Sequence, residues 1–174
     1  MRLMLLRHAK SDWSRPGLSD HERRLNARGR KAAPKAGAYM ARHGLVPDLV
    51  VASTATRVRE TLDLALAAFK TAPKVTHDAR VYEAEAGALL DVLKDTPRKV
   101  QSLLLVGHNP GLADLAALLI AAGKTEARTR LAAKFPTAAL AVIDFTGGDW
   151  SKLRSGSGRL DRFVVPRGLK GDAD

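Results

Sequence analysis

Apolar positions run without interruption from Leu3 to Leu6 and then stop on Arg7 and His8. A run this short and this uniformly apolar reads as a buried strand. The same signature returns at residues 49–52, after Pro47-Asp48, and at residues 102–107, where Ser-Leu-Leu-Leu-Val-Gly is the clearest strand in the chain and ends on His108. Between these runs the spacing becomes helical. Asn26 is an N-cap for a stripe of Gly29, Ala32, Ala36, Tyr39, Met40 and His43, with Gly44 as the stop; Pro34 lies inside, so the helix either bends there or begins near it. Ser53 or Thr54 caps a second helix that runs through Arg57 to about Phe69. Residues 86–93 predict a third, with Leu89, Leu90 and Leu93 inward, and residues 112–122 a fourth, opened by Asn109 and Pro110.

The remaining segments are less regular. Residues 8–25 are rich in turn formers and read as a long loop, and residues 71–80 as a loop with a short strand around Val75. Residues 123–134 are a loop or an irregular helix. Residues 138–145 form a strand, Gly147-Gly148 a tight turn, and residues 150–154 a short strand returning antiparallel. Residues 155–174 read as a C-terminal tail of which residues 163–166 dock. Strands alternating with helices predict an α/β fold: a doubly wound, mostly parallel central sheet with helices on both faces, in a single domain spanning 1–174.

Composition narrows the function classes. The absence of cysteine excludes a disulfide framework and a thiolate metal site. Arg2 and Arg7 break the first apolar run too early for a signal peptide, and the stretch 115–122 is too short to span a bilayer, so a cytoplasmic protein with no membrane partner is expected. The net charge of +11 is unevenly spread: residues 1–70 hold fourteen Lys and Arg against six Asp and Glu. Such an excess suits nucleic acid, an acidic protein or an anionic small substrate. Aromatic residues are 5% of the chain and no helix-turn-helix, zinc or RNA-binding signature accompanies the charge, which argues against nucleic acid. Arg28, Lys31, Lys35 and Arg42 recur at helical spacing as a solvated basic face.

In a doubly wound sheet the carboxyl ends of the parallel strands open on one edge. Arg7 and His8 after the first strand, Arg57 in the first turn after the second, and His108 after the last therefore converge. Four cationic or cationisable groups in one crevice repel one another unless an anion sits among them, and a phosphoryl group fits the Arg forks and the adjacent helix N-terminus.

The segments Leu6-Arg7-His8-Ala9, Ser53 to Thr61 with Arg57 inside it, and Val106-Gly107-His108 resemble, in order, the three signatures of the histidine phosphatase, or phosphoglycerate mutase-like, superfamily. The opening Arg-His-Ala-Lys-Ser-Asp-Trp, Tyr82-Glu83-Ala84 and Gly107-His108-Asn109-Pro110-Gly111 are most similar to SixA-type phosphohistidine phosphatases. One departure is Ala9, where the superfamily usually has glycine. The resemblance implies that His8 is a nucleophile that becomes transiently phosphorylated, that Arg7, Arg57 and His108 hold the phosphoryl oxygens, and that no metal or other cofactor takes part. Glu83 is either a general acid or the partner of an arginine. Ser11 and Trp13, just past His8, are candidates for lining the entrance, with packing the favoured role for Trp13, while His21, His43 and His77 show no site context and read as ordinary surface or helix-end residues.

Fifty residues between Arg57 and His108 leave little for a large cap, so the crevice is expected to be open. This favours a phosphorylated protein side chain over a small phosphate ester, and the SixA-type resemblance implies that the side chain is phosphohistidine. A phosphomonoesterase on small molecules is the alternative within the family, and a basic nucleic-acid or phosphate-binding module without catalysis is the alternative outside it.

Overall fold

The structure, a computed structural model, describes residues 1–168. Seven strands, β1 (Arg2–Arg7), β2 (Leu49–Ala52), β3 (Lys74–His77), β4 (Ser102–Gly107), β5 (Ile120–Gly123), β6 (Leu140–Asp144) and β7 (Gly158–Val164), form one sheet in the order β3-β2-β4-β1-β6-β7-β5. β3, β2, β4 and β1 are parallel, as are β5 and β7, and β6 alone runs antiparallel to its neighbours. The α/β fold with a mostly parallel sheet is as expected. Among the described residues no helix is long and apolar enough to cross a membrane.

The continuous apolar runs are explained by a core on each face. Leu3 and Leu5 of β1, with Leu103 and Leu105 of β4, pack with α3 (Ala86–Lys94) and α4 (Gly111–Leu119). Met4, Leu6, Leu104 and Val106 point the other way, onto α1 (Ala27–Arg42) and α2 (Thr56–Leu66). Each fully buried aliphatic side chain contributes about 1.5–3 kcal/mol, which anchors the two central strands firmly. Their register sets Leu6 opposite Val106 and Arg7 opposite Gly107, so β1 and β4 end level, with His8 and His108 next in line.

Several expectations are corrected. Residues 150–154 do not form a strand: Trp150–Lys152 is a 3-10 turn in which the fully buried Trp150 donates its indole N–H to the Val100 carbonyl at 2.7 Å. The strand antiparallel to β6 is β7, within the segment expected to be a tail; Leu160 and Phe163 are buried there. The rest of that expected tail, residues 169–174, lies outside the described residues. α4 ends at Leu119, and Ile120 begins β5, which pairs with β7. Residues 125–133 form a regular helix, α5 (Thr125–Ala133). α1 carries Pro34 inside it and buries Ala33 and Gly37, with Ala32 and Tyr39 only half-buried. In α3 Val92 is buried with Leu89 and Leu93, and Leu90 packs half-buried against the same core; α2 stops at Leu66, and α4 is capped by Pro110 rather than Asn109.

Candidate active site

His8 follows the last residue of β1, and its backbone N–H donates to the Gly107 carbonyl at 3.1 Å. Its imidazole Nδ1 lies 2.7 Å from the Ala9 carbonyl oxygen. A carbonyl only accepts, so Nδ1 carries the proton and Nε2 presents its lone pair. Burial, together with the charges of Arg57 and Arg7, outweighs the Ala9 hydrogen bond and the Asp20 charge and pulls the His8 pKa down to about 4. At neutral pH the ring is uncharged, with the Nε2 lone pair free.

The turn that carries His8 is held from α2 and α1. The Ala9 N–H donates to Thr61 Oγ1 at 3.0 Å, and that hydroxyl donates to the Arg57 carbonyl at 2.6 Å. On the other side Gly29 of α1 approaches so closely that a Cβ there would lie 2.2 Å from the Lys10 carbonyl oxygen. The Asn26 N–H donates to the same carbonyl at 3.0 Å.

Arg57 is buried and its two terminal nitrogens are both engaged. One terminal nitrogen donates to the Asp20 carbonyl at 2.7 Å; the other donates to Asp20 Oδ2 at 3.0 Å and to His108 Nδ1 at 3.2 Å. Tyr82 brings its hydroxyl onto the same Asp20 oxygen at 2.7 Å. Burial pushes the Asp20 carboxyl up, but the hydrogen bonds and charges of Tyr82, Arg57 and Arg23 outweigh it and leave the pKa below the ordinary value. Burial, and then Asp20, raise Tyr82 to about 12. His108 is flanked on its other nitrogen by Ser53, with Nε2 to Oγ at 2.7 Å. Burial, reinforced by His8 and Arg57, depresses its pKa to about 3. The His8 and His108 ring centroids are 5.2 Å apart.

Arg7 reaches back with one terminal nitrogen to the Phe135 carbonyl at 2.9 Å, and its buried Nε has no hydrogen-bond partner. Burial and the nearby Arg57 charge lower its pKa. A half-buried guanidinium whose covered Nε–H is unsatisfied, beside a second guanidinium and two neutral imidazoles, suits an arriving anion.

The remaining candidates are placed as follows. Glu83 is exposed, has a left-handed backbone (φ 50°), and lines a cleft of about 650 Å3 together with His108 and Pro110. Among the described residues it pairs with no arginine, and Tyr82 beside it turns its hydroxyl to Asp20 instead. Ser11 is buried, bridged to Leu25 at the base of the loop. Trp13 is 65% exposed, with the Arg23 guanidinium carbon 3.7 Å from its ring centroid.

Residues 3–103 match the histidine phosphatase superfamily, branch 1. The chain belongs to the histidine phosphatase superfamily. An uncharacterized protein of Mycobacterium tuberculosis is 35% identical over 164 residues, covering 93% of this chain and all of that one. Among solved structures, a candidate SixA phosphohistidine phosphatase from Agrobacterium tumefaciens is 33% identical, covers 95% of this chain and 97% of its own, and superposes with a TM-score of 0.78. The protein histidine phosphatase SixA complexed with tungstate has the same TM-score at 21% identity, covering 98% of this chain and 100% of its own, a likeness of fold.

As a histidine phosphatase the chain is a phosphoric-group hydrolase, and its conformation explains which site residues the sequence concealed. Asp20, Ser53, Thr61 and the Tyr82 hydroxyl touch Arg57, His108 or the Ala9 turn, yet none carries a local signal beyond position: Ser53 directly follows β2, and Thr61 sits one helical turn after Arg57. His21 and His77 are also nearer the site than expected. His21 Nε2 lies 2.8 Å from Thr54 Oγ1, its ring meets Tyr82 edge-on, and His77 Nδ1 lies 3.2 Å from the Ser53 carbonyl. His43, the C-cap of α1 stacked on Tyr39, is a helix-end residue as read.

Proposed function

We propose that this phosphatase hydrolyses phosphohistidine in a protein through a covalent phosphohistidine on His8. The observation that carries the reading is the His8 tautomer: Nδ1–H is tied to Ala9, which leaves Nε2 unprotonated beside Arg57 and His108. Nε2 attacks phosphorus as the bond to the leaving group's nitrogen breaks, and the departing imidazole takes a proton. Water then attacks the same phosphorus, the bond to Nε2 breaks, and inorganic phosphate leaves with His8 neutral again. Arg7 and Arg57 meet the oxygens' charge throughout, with His108 completing the cradle, so the charge is stabilised by groups already in position. An imidazole leaves more readily than an alkoxide, so this substrate asks little of a general acid.

The test is to treat the protein with a labelled phosphoryl donor. An acid-labile, alkali-stable label is expected on the wild type and absent from His8→Ala; label that persists in the variant overturns the mechanism.

Hydrolysis of a small phosphate ester is the second reading, favoured by Glu83 on the cleft wall beside His108. There Glu83 would protonate the alkoxide, and Glu83→Gln would slow esters about tenfold or more while sparing phosphohistidine. Equal loss on both substrates removes Glu83 as the acid.

A further inference from the structure

Trp13 is the most exposed large apolar side chain among the described residues, only five positions beyond His8. It lies across Arg23, whose side chain is mostly covered and whose buried Nε makes no hydrogen bond. Arg23 in turn lies 3.5 Å from Asp20 Oδ1, and the other oxygen of that carboxylate holds Arg57. An exposed indole thus stands two side chains away from the phosphoryl cradle.

The ground around it is basic. Residues 10–31 hold seven Lys and Arg against three Asp and Glu. The three carboxylates are engaged: Asp12 accepts from the Ser14 N–H, Glu22 from the Ser19 hydroxyl, and Asp20 as described. Lys10, Arg15, Arg28 and Lys31 are exposed and have no side-chain partner among the described residues. The Lys10 turn and the start of α1 are locked together at Gly29, and the Asp12 N–H donates to the Arg24 carbonyl at 2.7 Å, so loop and helix present one surface. An exposed aromatic on a segment rich in unpaired cations has the make-up of a protein-binding hot spot, in a form that selects negative charge.

We propose that Trp13, braced by Arg23, and the free cations of residues 10–31 dock an acidic protein surface around the phosphorylated side chain, which makes this segment the determinant of protein over small-molecule substrates. This rests on the phosphohistidine reading above. The indole contacts the substrate's protein face while the phosphoryl group passes beyond it to Arg57 and His8. Arg23 keeps its charge turned to the indole and to Asp20, so losing the indole removes contact area and uncovers that charge.

The test compares kcat/KM on three probes: an acidic protein phosphorylated on histidine with phosphoramidate, free phosphohistidine, and p-nitrophenyl phosphate. Trp13→Ala is expected to lower kcat/KM about tenfold on the protein and to leave the two small probes within about twofold, with Trp13→Phe intermediate. Arg15→Glu with Lys31→Glu is expected to lower the protein value further, and salt to erase the difference. Phosphohistidine turned over in both forms with a ratio indifferent to Trp13→Ala overturns the docking surface and leaves the phosphohistidine reading intact. Turnover of p-nitrophenyl phosphate alone overturns both. Trp13-dependent binding of a single-stranded oligonucleotide, with protein turnover indifferent to Trp13→Ala, overturns the proposal in favour of nucleic acid.

Discussion

Arg57 and His108 face each other as donor and acceptor, with a guanidinium nitrogen 3.2 Å from Nδ1. A guanidinium has no lone pair to offer, so Nδ1 is bare and Nε2 carries the proton, donated to Ser53 Oγ. In that state His108 has no N–H free for a phosphoryl oxygen. When a dianion enters, its charge opposes the burial that holds His108 neutral, and a proton on Nδ1 then finds an acceptor in the dianion. Titrating the protein at pH 7 with phosphate or tungstate, followed by 15N NMR of the imidazoles, is expected to show His108 becoming doubly protonated on binding while His8 stays neutral. A bare His108 Nδ1 in the saturated complex contradicts this.

Asp20 aligns Arg57 and also offsets its charge. Asp20→Asn keeps the shape and an acceptor for Tyr82 but removes the carboxylate. The pocket becomes more positive while Arg57 is held only by neutral acceptors, so inhibition by inorganic phosphate is expected to tighten severalfold and kcat to fall about tenfold. Loss of a charge-assisted hydrogen bond also lowers stability by about 1.5–3 kcal/mol, readable by urea denaturation. Unchanged kcat with weaker phosphate binding would reject this role.

The two buried histidines make stability depend on pH with a definite sign. Their folded pKa values, about 4 for His8 and about 3 for His108, lie below the unfolded value of 6.5. As pH falls below 6.5 the unfolded chain gains protons that the folded chain refuses, so stability decreases on acidification down to about pH 4 for His8 and about pH 3 for His108. The His8 share is at most about 3 kcal/mol. Denaturation between pH 7.5 and 4.5 is expected to show a shallower pH slope in His8→Ala than in the wild type, and equal slopes would be inconsistent with a neutral buried His8.

Gly29 allows α1 to press against the turn that carries His8. Gly29→Ala would place a Cβ 2.2 Å from the Lys10 carbonyl oxygen, whereas Gly37→Ala would place one 1.9 Å from the Ala65 carbonyl, where α1 crosses α2. Both overpack and should cost about 1–3 kcal/mol or more. Assayed well below its melting temperature, Gly29→Ala is expected to lose activity at least about tenfold beyond Gly37→Ala, because only the former displaces the backbone next to His8.

Parallel strands deliver their ends to one edge whatever lies between them, which is why Arg7, His8, Arg57 and His108 could be brought together from sequence alone. Asp20 could not, since its partners lie 37 and 62 positions away and its neighbours are ordinary turn formers. β7 was concealed for a different reason. A register shift opposite Val142 and Ile143 puts Leu160 and Phe163, three apart, on the buried side, which breaks the alternation that identifies a strand. In residues 120–134 α5 has only Leu131 to bury, too little apolar patterning to separate helix from loop.

The place of β1 in the middle of the sheet also bears on how the protein folds. Leu3 pairs with Leu103 on one side and with Ile143 on the other, so the strand that leads to His8 waits for two partners a hundred or more positions along the chain. Closing such long loops comes before any reward from packing, which makes folding slow and late. A chain interrupted before β6 would leave β1 as an open, apolar edge prone to pairing with other chains. Activity should therefore emerge abruptly with the final strands.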